Sequence, residues 1–139
     1  MELQRLNNLS ELEELVAENP GLHVRFSEGP DVDASTGSTD TESGLRLPGL
    51  SVNTLDPELW WSRPLRDWLA RQLCQYKHLQ DANPERFAWL LRGRSVGRGP
   101  DSEPLLADVE AVARLSDRLL DEAEQVYTER FDAGRAPEQ

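Results

Sequence analysis

The sequence predicts an α+β fold: a single domain in which a small central sheet of about four or more strands carries three helices. Two observations predict it. Stretches with an apolar residue every third or fourth position, and stretches that alternate apolar and polar, follow one another as helix, strand, loop, strand, helix, strand, strand, helix. That order lacks the regular alternation of a doubly wound sheet. The chain has 139 residues, near the usual domain size, so residues 1–132 are expected to share one core and residues 133–139 to form a disordered tail. A hydrophobic fraction of 37% that includes four Trp, three Phe and two Tyr suffices for that core, because large rings bury much area per residue.

Each element has a local signal. Ser10 and Glu13 stand at capping-box spacing and open a helix that runs to Glu18, with Leu12, Leu15 and Val16 on one face. Asn19-Pro20-Gly21 ends it, since proline disfavours a helical residue before it and glycine permits the turn. Leu22 to Ser27 alternates as a strand, with Leu22, Val24 and Phe26 on one side and His23 and Arg25 on the other. Residues 28–48 read as a flexible acidic loop: Glu28 to Ser43 holds five acids and no base among Gly, Ser, Thr and Pro. Such a loop is either a lid over a site or a solvated insertion. Gly49 to Asn53 is a second short strand, with Leu50 and Val52 facing one way and Ser51 the other.

Pro64, whose missing amide costs nothing in a first turn, starts the main helix to about Leu79 on Leu65, Trp68, Leu69, Leu73 and Tyr76. Phe87 to Leu91 and Glu103 to Val112 are strands joined through a glycine-rich bend at Gly93, Gly97 and Gly99. Ser116 with Asp117 caps a last helix with its apolar stripe on Leu119, Leu120, Ala123, Val126, Tyr127 and Phe131.

Charge narrows the functions. Twenty-six acids against 15 bases give a net charge of −11, which repels phosphate backbones and anionic headgroups and argues against nonspecific nucleic-acid or membrane binding. Small molecules, or proteins with a basic face, are the expected partners. The lone cysteine, Cys74, permits no intrachain disulfide, and no basic stretch followed by an apolar run opens the sequence, so a cytoplasmic location is expected. Fourteen of the 15 bases are Arg, which fits either bidentate anion recognition or a GC-rich coding bias.

Several chemistries drop out. His23 and His78 have no cysteine partners at ligand spacing, so no metal site is expected. Neither a phosphate-binding P-loop nor a dinucleotide glycine fingerprint is present. Cys74 reads as a packed helix residue rather than a nucleophile. Two local features stand out. Residues 63–98 hold eight bases and three acids, and Arg92, Arg94 and Arg98 flank the glycine bend, as an anion-binding nest or as solvated hairpin charges. Trp60 and Trp61 precede the main helix, where at least one lines a cleft or both anchor the segment to the core.

The strings Gly49-Leu50-Ser51-Val52-Asn53, Trp60-Trp61, Arg63-Pro64-Leu65, Gly97-Arg98-Gly99-Pro100-Asp101 and Glu103-Pro104-Leu105 resemble a family of short bacterial proteins of unknown function, over nearly the whole chain. A second resemblance concerns Arg25 on the first strand, Ser51 on the second and Glu103 at the mouth of a late strand. Their order is similar to the arginine-serine-glutamate signature of ADP-ribosyltransferases, which cleave NAD at its nicotinamide ribosyl bond. The resemblance departs from the family pattern at Ser51-Val52-Asn53, where a serine-threonine-serine element is usual, and at Asp101, which replaces the first of two glutamates. It implies that Arg25 holds NAD phosphate or ribose, that Glu103 stabilises the oxocarbenium-like charge, and that Ser51 braces Glu103. It also implies Trp60, Trp61 or Tyr76 beside nicotinamide and Arg98 near the cofactor, with NAD as substrate and no resident cofactor. The rival expectation is a noncatalytic interaction or inhibitor module that uses the acidic loop and the tryptophan pair.

Overall fold

The computed structural model describes residues 3–40, 42–82, 85–100 and 102–131, apart from the side chains of residues 75–82. It is an α+β single-domain fold with four helices and a six-stranded mixed sheet among the described residues. Strand β1 spans Gln4–Leu6 and helix α1 Leu9–Glu18; β2 covers His23–Ser27 and α2 Pro30–Thr36. The short strands β3 (Leu50–Ser51) and β4 (Asn53–Thr54) precede helix α3 (Leu65–Ala82). The long strands β5 (Phe87–Arg98) and β6 (Pro104–Leu115) lead into helix α4 (Asp117–Phe131).

Helix α1 buries Leu9, Leu12 and Val16, but it is capped two residues before the expected serine. Asn8 accepts from the Glu11 amide at 2.9 Å while the Glu11 carboxylate accepts from the Asn7 amide at 2.8 Å. Ser10 and Glu13 instead accept from Arg66 of α3, at 2.8 and 3.0 Å. After Asn19 the chain turns through Gly21 at φ +95°, a value that favours glycine. Leu22, Val24 and Phe26 of the following stretch are buried as the alternation requires.

The acidic segment is not wholly loop. Gly29, at φ +116°, and Pro30 at the first turn start α2, a fourth helix beyond the three expected. The periodicity signal missed it because its one buried side chain is the charged Asp33. The hairpin arms are also longer than expected. The strand continues through Gly93 and Gly97 to Arg98, with register irregularities at Arg92/Arg94 and Ser95/Gly97, so these glycines serve bulges and not the bend. The turn itself is closed by Gly99 N–H donating to the Glu103 carbonyl at 2.8 Å and Ser102 N–H to the Gly99 carbonyl at 3.0 Å.

The strand order is β1-β6-β5-β2-β4, with β1 parallel to β6 and the other neighbours antiparallel. The segment of β3 and β4 then pairs twice. Leu50 and Ser51 pair with Leu106 and Leu105 of β6, whereas Asn53 and Thr54 pair with Val24 and His23 of β2. The pairing path β6–β5–β2–β4/β3–β6 therefore returns to its start, and the sheet curls around a small core of Leu50, Val52, Trp89, Leu91 and Leu106. A larger core lies between the sheet and the helices, built on Leu12, Leu69, Leu73, Leu90, Leu119 and their neighbours. Gln72 of α3 donates to the Thr54 carbonyl at 2.9 Å and ties the crossing segment to this second core.

Candidate active site

The crossing segment brings Arg25, Ser51 and Glu103 together. Ser51 lies where the chain leaves β6, and its hydroxyl donates to Glu103 Oε2 at 2.6 Å across 52 residues of sequence. Its carbonyl accepts from Arg25 Nη1 at 2.7 Å, and its amide donates to Ser38 Oγ at 3.0 Å. A single residue is thus fixed at hydroxyl, carbonyl and amide by three different segments, which leaves the serine little freedom to release the carboxylate.

Arg25 is itself fixed from behind. Its Nε donates to Asp33 Oδ2 at 2.6 Å and Nη2 to Asp33 Oδ1 at 3.3 Å, a fork pairing with a carboxylate that is only 5% exposed. Asp33 also accepts from the Ser27 hydroxyl at 2.6 Å, and Ser27 Oγ accepts from Trp89 Nε1 at 2.9 Å. A polar chain therefore runs from fully buried Trp89 through Ser27, Asp33, Arg25 and Ser51 to Glu103. Three of the five guanidinium N–H groups of Arg25 are spent on this chain, leaving two without an acceptor among the described residues.

Glu103 stands between two open clefts of about 620 and 640 Å³ and lines both. The second cleft holds Arg25, Ser38, Ser51 and Arg86, with Asp40 and Glu42 at its rim. The first holds His23, Asp56, Trp60, Trp68, Arg71 and Arg98. Trp60 is two-thirds exposed there, edge-on to Trp68 at 6.3 Å between ring centroids. Trp61 departs from the expected arrangement: it lines neither cleft, packs on Trp68 at 5.1 Å against the helix-side core, and donates from Nε1 to the Pro64 carbonyl. The Tyr76 side chain lies outside the described residues. Arg98 lines the first cleft and donates to the Ser102 carbonyl at 2.8 Å, which braces the turn ahead of Glu103. Gly99 packs so closely under Glu103 that a Cβ there would fall 2.6 Å from the carboxyl carbon.

Burial lowers the pKa of His23 below its ordinary value, against the opposing pull of the Gly21 carbonyl and Asp56. The imidazole in the first cleft therefore favours its neutral form more than an exposed histidine does. Asp40 at the rim of the second cleft is also held low, by the Ser43 hydroxyl and the Glu42 and Ser43 amides. Among the described residues, no group of three or more His, Cys, Asp or Glu could hold a metal ion. The arginine trio of the hairpin does not cluster as a nest. Arg94 pairs with Asp108 at 2.9 Å and Arg92 with Glu110 at 3.9 Å, both across the hairpin, while Arg98 turns to its own loop. Asp33, Ser38 and Arg86 belong to the site and were not foreseen. The only sequence signal for Asp33 was Gly29-Pro30 ahead of acidic residues, a helix start hidden in loop-like composition.

Comparison with known proteins places the chain in one family. Residues 1–137 match the model of the family of unknown function DUF6098, and the chain belongs to that family. No curated protein and no solved structure matches it. No helix among the described residues is long and apolar enough to cross a membrane.

Proposed function

We propose that the chain binds NAD across its two clefts and cleaves the nicotinamide ribosyl bond, as an ADP-ribosyltransferase-like enzyme. One observation carries this reading: the Ser51 hydroxyl holds the Glu103 carboxylate at 2.6 Å at the junction of the clefts, with Arg25 bound to the same serine. Breaking the C1′–N bond leaves the electron pair on nicotinamide, which departs neutral, and positive charge on the ribosyl carbon and ring oxygen. A fixed carboxylate at that carbon lowers the barrier because it needs no reorganisation as the charge develops. A hydroxyl nucleophile, from water or an acceptor, then bonds to C1′ and releases its proton. In this reading the ring of Trp60 receives nicotinamide, Arg25 acts mainly by positioning Ser51, and NAD is a substrate, with no resident cofactor needed. The single cysteine and the acidic surface suit a reducing cytoplasm.

The test is release of nicotinamide from NAD, followed chromatographically with wild type and Glu103→Gln. Wild type should turn over, and the variant should lose on the order of 10²-fold or more in rate while still binding NAD. Equal rates in the two proteins would remove Glu103 from the chemistry. A second reading, a noncatalytic protein-binding module, draws on Leu59 and Trp60, adjacent side chains that are fully and two-thirds exposed. It predicts no nicotinamide release from any variant.

A further inference from the structure

We infer that Arg86, together with the two remaining N–H groups of Arg25, forms a diphosphate-binding site in the second cleft, and that the ligand it takes is the diphosphate of a nucleotide. The inference rests on the NAD reading for the identity of the nucleotide, but the site stands on its own geometry. Arg86 is half-buried just ahead of β5 and makes no hydrogen bond or ion pair with another described residue. Most other arginines that line clefts here are committed: Arg98 to the Ser102 carbonyl, Arg71 to the Trp68 ring and Gln72, Arg25 largely to Asp33. Half-burying a guanidinium without a partner is costly, and the cost is recovered when an anion arrives.

Arg86 and Arg25 both line the same two cavities, of about 640 and 270 Å³, which also share Gly37. Asp33 neutralises Arg25 from behind, whereas Arg86 has no such partner among the described residues; Glu28 and Glu103 also line this pair of cavities, so Arg86 is the cation an incoming anion would meet. The carboxylates at the rim decide between ligands. Asp40 and Glu42 would repel a bare phosphate, whereas a ribose beside the diphosphate offers hydroxyls that carboxylates accept from. Guanidiniums for the phosphates next to carboxylates for a sugar diol is the donor and acceptor set of a nucleotide, and it orients the chain of atoms from the second cleft toward Glu103.

Calorimetric titration with ADP-ribose, adenosine and inorganic pyrophosphate tests it on wild type, Arg86→Ala and Arg86→Lys, each checked for folding by circular dichroism. ADP-ribose should bind wild type and lose roughly 10- to 100-fold in affinity in Arg86→Ala. Arg86→Lys should recover part of that loss, adenosine affinity should stay the same in all three, and pyrophosphate should bind more weakly than ADP-ribose. An ADP-ribose affinity unchanged in the folded Arg86→Ala protein, or no ADP-ribose binding to wild type, overturns the site. Arg86-dependent binding of ADP-ribose without any nicotinamide release from NAD would keep the site and discard the cleavage reading. Nicotinamide release whose KM ignores Arg86→Ala would do the reverse.

Discussion

Replacing Asp33 with Ala should destabilise the fold by about 3–5 kcal/mol, which is the usual effect of removing one partner from a buried ion pair. The pair qualifies as buried: the Asp33 side chain is 5% exposed and that of Arg25 16%, so solvent screens it little. Asp33→Ala would strand two N–H groups of Arg25 and the Ser27 hydroxyl in one step, since all three donate to that carboxylate. Against a total stability of order 5–15 kcal/mol, the loss would move most of the unfolding transition. Removing both partners tells more. In Arg25→Leu with Asp33→Leu no buried charge is left over, and the double replacement should cost clearly less than the sum of the single ones, with a coupling of about 0.5–3 kcal/mol. Equilibrium urea denaturation followed by far-ultraviolet circular dichroism measures every corner of the cycle. A loss below about 1 kcal/mol in Asp33→Ala, or additive single replacements, would refute the claim that this pair anchors the site.

Other outcomes follow from the same geometry. Ser51→Ala removes the hydroxyl that holds Glu103 but not the backbone contacts to Arg25 and Ser38; nicotinamide release should fall by about 10- to 100-fold while stability changes by about 1 kcal/mol. Gly99→Ala puts a methyl group against the Glu103 carboxylate, which can yield only by giving up its bond from Ser51, so stability should fall by about 1 kcal/mol and turnover should drop by more than that loss explains. Trp60→Ala should cost less than about 1 kcal/mol because the ring is two-thirds exposed, whereas Trp68→Ala, at 2% exposure, should cost about 3–5 kcal/mol in urea titrations. His23 has a folded pKa below its ordinary 6.5, so the unfolded chain binds the proton more readily. Its contribution to stability is complete above pH 6.5 and is lost as pH falls from there toward the folded pKa. The difference in unfolding free energy between wild type and His23→Gln should shrink over that window, and a difference that grows on acidification would reverse the sign of this argument.

The elements legible in the sequence are those whose signal is local and apolar. The alternation through Leu22, Val24 and Phe26, the stripe of Leu65, Trp68, Leu69 and Leu73, and the cap at Ser116, whose Oγ accepts from the Leu119 amide at 3.2 Å, each depend on residues within a few turns. What escaped depends on distant or polar partners. Strand β1 has three residues and exists by pairing with Ala113, Arg114 and Leu115, more than a hundred positions away. Helix α2 packs through a carboxylate, which hydrophobic periodicity does not count. Asn8 and Ser10 are both good cap residues, and Ser10 is instead engaged by Arg66, a contact that no reading of residues 8–13 could supply. For the site, the sequence order of Arg25, Ser51 and Glu103 was readable, but not the helix that supplies Asp33 or the orientation that separates Trp60 from Trp61.

The closed sheet explains why a serine with ordinary neighbours can hold a charged side chain so firmly. Ser51 belongs to a segment that changes partner strand at Val52, where the amide still donates to the Pro104 carbonyl at 3.1 Å. Pro104 is the residue after Glu103, so the backbone of the hairpin and the backbone of the crossing segment are locked one residue away from the Ser51–Glu103 bond on each side. The carboxylate is therefore held by the crossing segment as well as by the turn that precedes it, where the Glu103 carbonyl accepts from the Gly99 amide. On the inner side the small core of Leu50, Val52, Trp89, Leu91 and Leu106 fills the curl, and Trp89 joins that core to the polar chain through Ser27. Rigidity of this kind places a fixed negative charge between two clefts, a condition for stabilising positive charge in a transition state. It follows that replacing Trp89, which itself lines neither cleft, should disturb the position of Glu103 from the far end of the chain, through Ser27, Asp33 and Arg25.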